Sequence, residues 1–149
     1  MEASLSMPFL EVAMKYLSFL IGLLLLSYSP LATAADQSIC VPTSEITFHP
    51  NGKLKSCDLK NEYNVRGLSC NANNKISFFD DGRVSSCILS KDFTIGIITC
   101  GNLGTIEFYS SGGLSSCTLT KDVARDGKSC TKGQPIYVFE NGKLKSCTK

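Results

Sequence analysis

Eight cysteines and one histidine are the side chains whose spacing points to chemistry. Cys40, Cys57, Cys70, Cys87, Cys100, Cys117, Cys130 and Cys147 are separated alternately by 17 and 13 residues. Thiols can form disulfides, hold a metal, or act as nucleophiles and redox centres. Zinc sites bring ligands in close pairs such as Cys-x-x-Cys, and no two of these cysteines are nearer than 13 residues. Eight symmetric copies also suit a structural role better than a catalytic one, so no metal and no cofactor are expected. Disulfides fit. Pairing at the 17-residue spacing uses every thiol: Cys40–Cys57, Cys70–Cys87, Cys100–Cys117 and Cys130–Cys147. Pairing at the 13-residue spacing strands Cys40 and Cys147. The first pattern is favoured and the second stays open.

A nucleophile triad needs a base, and His49 is the sole histidine. It stands where the chain elsewhere places Phe79, Tyr109 and Phe139, at intervals of 30 residues. A ring filling an aromatic slot beside a turn explains it. The adjacent carboxylates Asp80 and Asp81 belong to a turn, where Asp is favoured for local geometry. No phosphate loop or dinucleotide fingerprint occurs, and an enzyme is not expected. His49, Phe79, Tyr109 and Phe139 form the candidate binding stripe, because rows of rings bind sugars, peptides or lipid headgroups. The competing reading is that they cover the disulfides and leucines beside them.

These residues recur because the chain is a repeat array. The heptapeptide Asn-Gly-Lys-Leu-Lys-Ser-Cys appears at 51–57 and again at 141–147, three periods of 30 apart. Four units begin at Cys40, Cys70, Cys100 and Cys130, without insertion or deletion. Five offsets are identical in all four: both cysteines, an Ile (Ile46, Ile76, Ile106, Ile136), a Gly (Gly52, Gly82, Gly112, Gly142) and a Ser (Ser56, Ser86, Ser116, Ser146). Within a unit, alternation such as Thr105-Ile-Glu-Phe-Tyr109 reads as a half-buried strand. The invariant Gly fits the left-handed residue closing a type I turn. Each unit therefore contains a β-hairpin.

In the expected register Phe78 faces Val84 and Ile76 faces Ser86. Phe79, Cys87 and Leu89 then fall on the opposite side, so both faces carry apolar groups. A third strand links one hairpin to the next, with Gly67, Gly96 or Gly127 breaking its alternation as a bulge. The fold class is all-β: an elongated antiparallel repeat sheet of four 30-residue units, a hairpin stack or a β-solenoid, stapled by disulfides.

The hairpin cores Thr47–Leu54, Ser77–Val84, Glu107–Leu114 and Tyr137–Leu144 resemble MORN-type repeats of the variant form built on aromatic-x-Asn-Gly-Lys-Leu. The resemblance covers about eight residues per unit. It implies stacked β-hairpins and a role in membrane association, scaffolding or protein contact, without catalysis. The longer period and the cysteine pair in every unit depart from that family.

The N-terminus reads as an export signal, residues 1–34. Lys15 precedes a short apolar run closed by Pro30, followed by the small residues Ala32, Thr33 and Ala34. Met1, Met7 and Met14 are all possible starts. The repeat domain is 35–149. Without Lys15, Glu2 and Glu11, 14 of the 15 basic and 11 of the 13 acidic residues remain. That mild excess, with no basic block, excludes nucleic acid as a partner. The expected function is that of an exported non-catalytic repeat protein, periplasmic or extracellular, acting as a binding or structural module at the cell envelope. Its partner would be an envelope glycan, a membrane surface or another protein. The alternative is a secreted effector or inhibitor engaging a foreign protein through its hairpin tips.

Overall fold

A computed structural model of the protein describes residues 36–148, and the expected signal segment lies outside them. A 3-10 turn, Gln37–Ile39, leads into the first unit. Each unit then forms a main hairpin. These are β1 (Thr47–Phe48) with β2 (Leu54–Asp58), β5 (Lys75–Phe78) with β6 (Val84–Ile88), β9 (Thr105–Phe108) with β10 (Leu114–Thr118), and β13 (Pro135–Val138) with β14 (Leu144–Cys147). The second strand of each pairs antiparallel with the first strand of the next. The result is one eight-stranded sheet in the order β1-β2-β5-β6-β9-β10-β13-β14. It is a hairpin stack, with every neighbour antiparallel.

The main turns follow from their residues. Gly52, Gly82, Gly112 and Gly142 hold φ of +79°, +91°, +92° and +80°, a region where a Cβ is strained. Each donates its N–H to the carbonyl of His49, Phe79, Tyr109 or Phe139 three residues back. Asn51, Asp81 and Asn141 accept the N–H two residues on, at 3.1, 2.9 and 3.0 Å. That is the local bond for which Asx residues are favoured in turns.

The linking segment is not one strand. It folds into a second hairpin in each of the first three units: β3 (Tyr63–Val65) with β4 (Leu68–Cys70), β7 (Phe93–Ile95) with β8 (Ile98–Cys100), and β11 (Val123–Arg125) with β12 (Lys128–Cys130). The glycine expected as a bulge is a turn residue. Arg66-Gly67 (φ +48°, +84°) and Asp126-Gly127 (+50°, +73°) form two-residue turns with both residues left-handed, the type I′ pattern. In the second unit Gly96 comes first, at φ +59°, and Ile97 is not left-handed, as in a type II′ turn. The change of turn type moves the glycine by one position.

A second correction concerns the faces. Phe78 faces Val84, but Ser77 faces Ser86, so Ser85 is the extra residue of a β-bulge. The same shift occurs in the other three main hairpins. Parity therefore changes by one after the bulge, and within a hairpin isoleucine meets cysteine rather than serine, as Ile106 meets Cys117 and Ile136 meets Cys147. Cysteine and isoleucine also meet between hairpins, at Cys57 and Ile76, Cys87 and Ile106, Cys117 and Ile136. Isoleucine, cysteine and leucine share one face, and the expectation of two apolar faces fails. The other face carries a row in register across all eight strands: Thr47, Ser56, Ser77, Ser86, Glu107, Ser116, Tyr137 and Ser146. Thr47 and Ser56 hydroxyls meet at 2.8 Å, and Ser116 donates to Glu107 at 2.9 Å.

The core is periodic like the sequence. Ile76, Ile106 and Ile136 are wholly buried, as are Leu59, Leu89 and Leu119 within 2%. Full burial of each such side chain is worth about 2 kcal/mol. The side hairpins add Leu68, Ile98 and Val123. Four disulfides complete it: Cys40–Cys57, Cys70–Cys87, Cys100–Cys117 and Cys130–Cys147, with Cα separations of 5.7, 5.8, 5.6 and 5.5 Å. The last three each tie the second strand of a side hairpin to the second strand of the following main hairpin. All eight thiols are consumed. Four intramolecular disulfides indicate an oxidising, exported environment.

Candidate functional site

The four rings of the expected stripe stand just before the main turns, and their surroundings differ. His49 Nε2 lies 2.9 Å from the carbonyl of Phe78. A carbonyl only accepts, so Nε2 carries the proton and donates. Tyr109 does the same two periods later, its hydroxyl donating to the carbonyl of Val138 at 2.8 Å. Both tie one unit to the next. Phe139 is half-exposed, with the Lys145 ammonium 5.9 Å from its ring centre. Phe79 lacks a donor, and the junction it faces is bridged by Arg83, which donates Nη2 to the carbonyl of Ser110.

Phe79 instead lines a groove of about 510 Å³ between the first side hairpin and the turn ends of the second and third main hairpins. The volume falls within the range of small-ligand sites. Its apolar walls are Tyr63, Val65 and Leu68 from the first side hairpin, Phe93 from the second, and Val84 and Phe108 from the sheet. The Tyr63 ring meets Phe78 edge-on, with centroids 6.0 Å apart. His49, Tyr109 and Phe139 do not line the groove. Sequence reading missed Tyr63, Phe93 and Phe108 as site residues. Their signal was the apolar alternation of the linking segment, which reads as core until that segment is known to fold into a hairpin of its own.

The rim is polar: Arg66, Asp81, Arg83 and Ser111. Asp81 and Arg83 are locked together, with Nε at 2.7 Å and Nη2 at 2.6 Å from Oδ2. The hydrogen bond from Arg83 holds the Asp81 carboxyl below its ordinary value, and Asp81 in turn raises Arg83. The pair is charged above the usual carboxylate range, and the contact is lost only as pH falls through that lowered value. Gly112 (φ +92°) leaves room for this guanidinium, because a Cβ there would stand 3.2 Å from Nη1. Arg83 is thus positioned by acceptors from two units. Among the described residues no group of three His, Cys, Asp or Glu side chains gathers as a metal site would require.

Comparison with family models, curated proteins and solved structures finds no match to this chain.

Proposed function

We propose that this chain is exported by its N-terminal signal and serves, without catalysis, as a binding or structural module at the cell envelope. The observation that carries this reading is the pairing of a disulfide-stapled repeat sheet with an open, aromatic-walled groove that carries two guanidinium groups on its rim. A stapled stack is a rigid surface that survives where no chaperone or reductant protects it, and repeat sheets present such surfaces for binding. The kinship with MORN-type repeats is part of the same proposal and rests on the turn residues of the main hairpins. A second reading, a secreted effector or inhibitor, is favoured by the exposed turn tips at Asn51, Asp81, Ser111 and Asn141.

Cosedimentation of the oxidised protein with isolated cell envelopes tests the first reading. Binding should occur and should weaken on Phe79→Ala, which empties one wall of the groove. A chain that stays in the supernatant and instead forms a stoichiometric complex with one foreign protein would move the assignment to the effector. Hydrolytic turnover by the purified protein would overturn both.

A further inference from the structure

The three side hairpins occupy equivalent positions but meet the next main hairpin differently. The third is latched. Arg125 Nη2 donates to the carbonyl of Gly142, and Asp126 Oδ2 accepts the N–H of Leu144 at 2.6 Å. Sixty residues earlier the same two positions hold Val65 and Arg66, and the matching turn positions are Gly82 and Val84. Val65 has no donor to offer Gly82. The Arg66 side chain has no oxygen with which to accept from the Val84 N–H. All four residues line the groove. The groove therefore opens at the place that the third hairpin fills with its own guanidinium and carboxylate.

We propose that the groove binds a protein segment presenting an aromatic side chain beside a carboxylate. The inference rests on the reading of this chain as a binding module and names its partner's chemistry. The carboxylate takes the place that Asp126 holds sixty residues later, accepting the Val84 N–H. Arg66 and Arg83 both line the groove, and because Asp81 and Arg83 offset each other, Arg66 leaves the rim with a net positive charge. Charge complementarity thus favours an anion, and guanidinium groups are suited to carboxylates. The ring enters between Tyr63, Phe93 and Phe108, where an aromatic anchor is desolvated on several sides. Arg66 supplies an independent sign. It holds φ +48°, in a turn position that favours Asn, Asp or Gly. A strained residue at the rim of a groove points to a use for its side chain.

Titration of the ¹⁵N-labelled, oxidised protein with acetyl-Phe-Asp-amide at millimolar concentration tests this by amide chemical shifts. Shifts should concentrate at Val65, Arg66, Val84 and Gly112. Affinity should fall about tenfold or more with acetyl-Phe-Asn-amide, and likewise with Arg66→Gln, each of which removes a charge-assisted contact. The double substitution Val65→Arg with Arg66→Asp grafts the third unit's latch onto the first. It should fold as the third hairpin does, move the Val84 amide without ligand, and abolish peptide binding. Equal binding of the Asp and Asn peptides overturns the proposal, as does peptide binding undiminished by the graft. So do groove shifts produced by laurate or by chitin oligomers but not by the peptide. Envelope cosedimentation that weakens on Phe79→Ala, with groove amides unmoved by the peptide, would sink this proposal alone and leave the binding-module reading intact.

Discussion

Leu103 holds φ +60° and is 70% exposed. The equivalent positions hold Asn73 at φ +58° and Gly133 at +78°, residues that tolerate the left-handed region. A leucine there costs about 1 kcal/mol, and its exposed side chain recovers little by packing. Leu103→Asn should therefore raise the unfolding free energy by about 1 kcal/mol, read from the urea midpoint at constant slope. An unchanged or lower midpoint would show that the leucine is held by contacts absent from this account. Tyr109→Phe should lower stability by about 1 kcal/mol, the worth of one hydrogen bond, because its hydroxyl is the tie to Val138. That His49 occupies an aromatic slot was legible from its 30-residue spacing. Its bond to Phe78 was not, since two residues 29 apart meet only after separate hairpins have paired.

At the scale of elements, turn chemistry explains both what was readable and what was not. The main hairpins were legible because a Gly recurs at one offset between alternating strands. The Ser85 bulge was not, because no residue type marks it: the same position holds Lys55, Ser115 and Lys145. Its effect on parity decides which face is buried. The side hairpins were read as single strands because their turns carry only two residues, and only one of those is Gly. Two predictions separate the turn types. Gly96→Asn with Ile97→Gly should convert the second side hairpin to a type I′ turn and keep the fold, with stability within about 1 kcal/mol of the parent. Gly127→Ala should cost about 1 to 2 kcal/mol, because φ +73° strains any Cβ. Thermal or urea unfolding of both variants checks them together. A stable Gly127→Ala would mean that the turn relaxes to another type.

For the molecule as a whole, each unit contacts its neighbours and the disulfides set the staples between layers. Each closes a loop of 17 residues and contributes about 3 kcal/mol in the chain-entropy account. Against a net stability of about 5–15 kcal/mol for a domain, loss of one is serious. The four are not equally shielded. Seven of the cysteines are buried, whereas Cys147 is partly exposed. Mild reduction should therefore open Cys130–Cys147 first, as tracked by alkylation and mass mapping at short times. The 30-residue period made the units legible and favoured the 17-residue pairing, which alone uses every thiol; the placement of β4, β8 and β12 beside the sheet is what brings those cysteines together. The central claim is that every unit is clamped by its own 17-residue disulfide. Mass mapping of the non-reduced, exported protein tests it most directly. The account predicts Cys40–Cys57, Cys70–Cys87, Cys100–Cys117 and Cys130–Cys147 as the only linked peptides. A Cys57–Cys70 link, or eight alkylatable thiols, would contradict it.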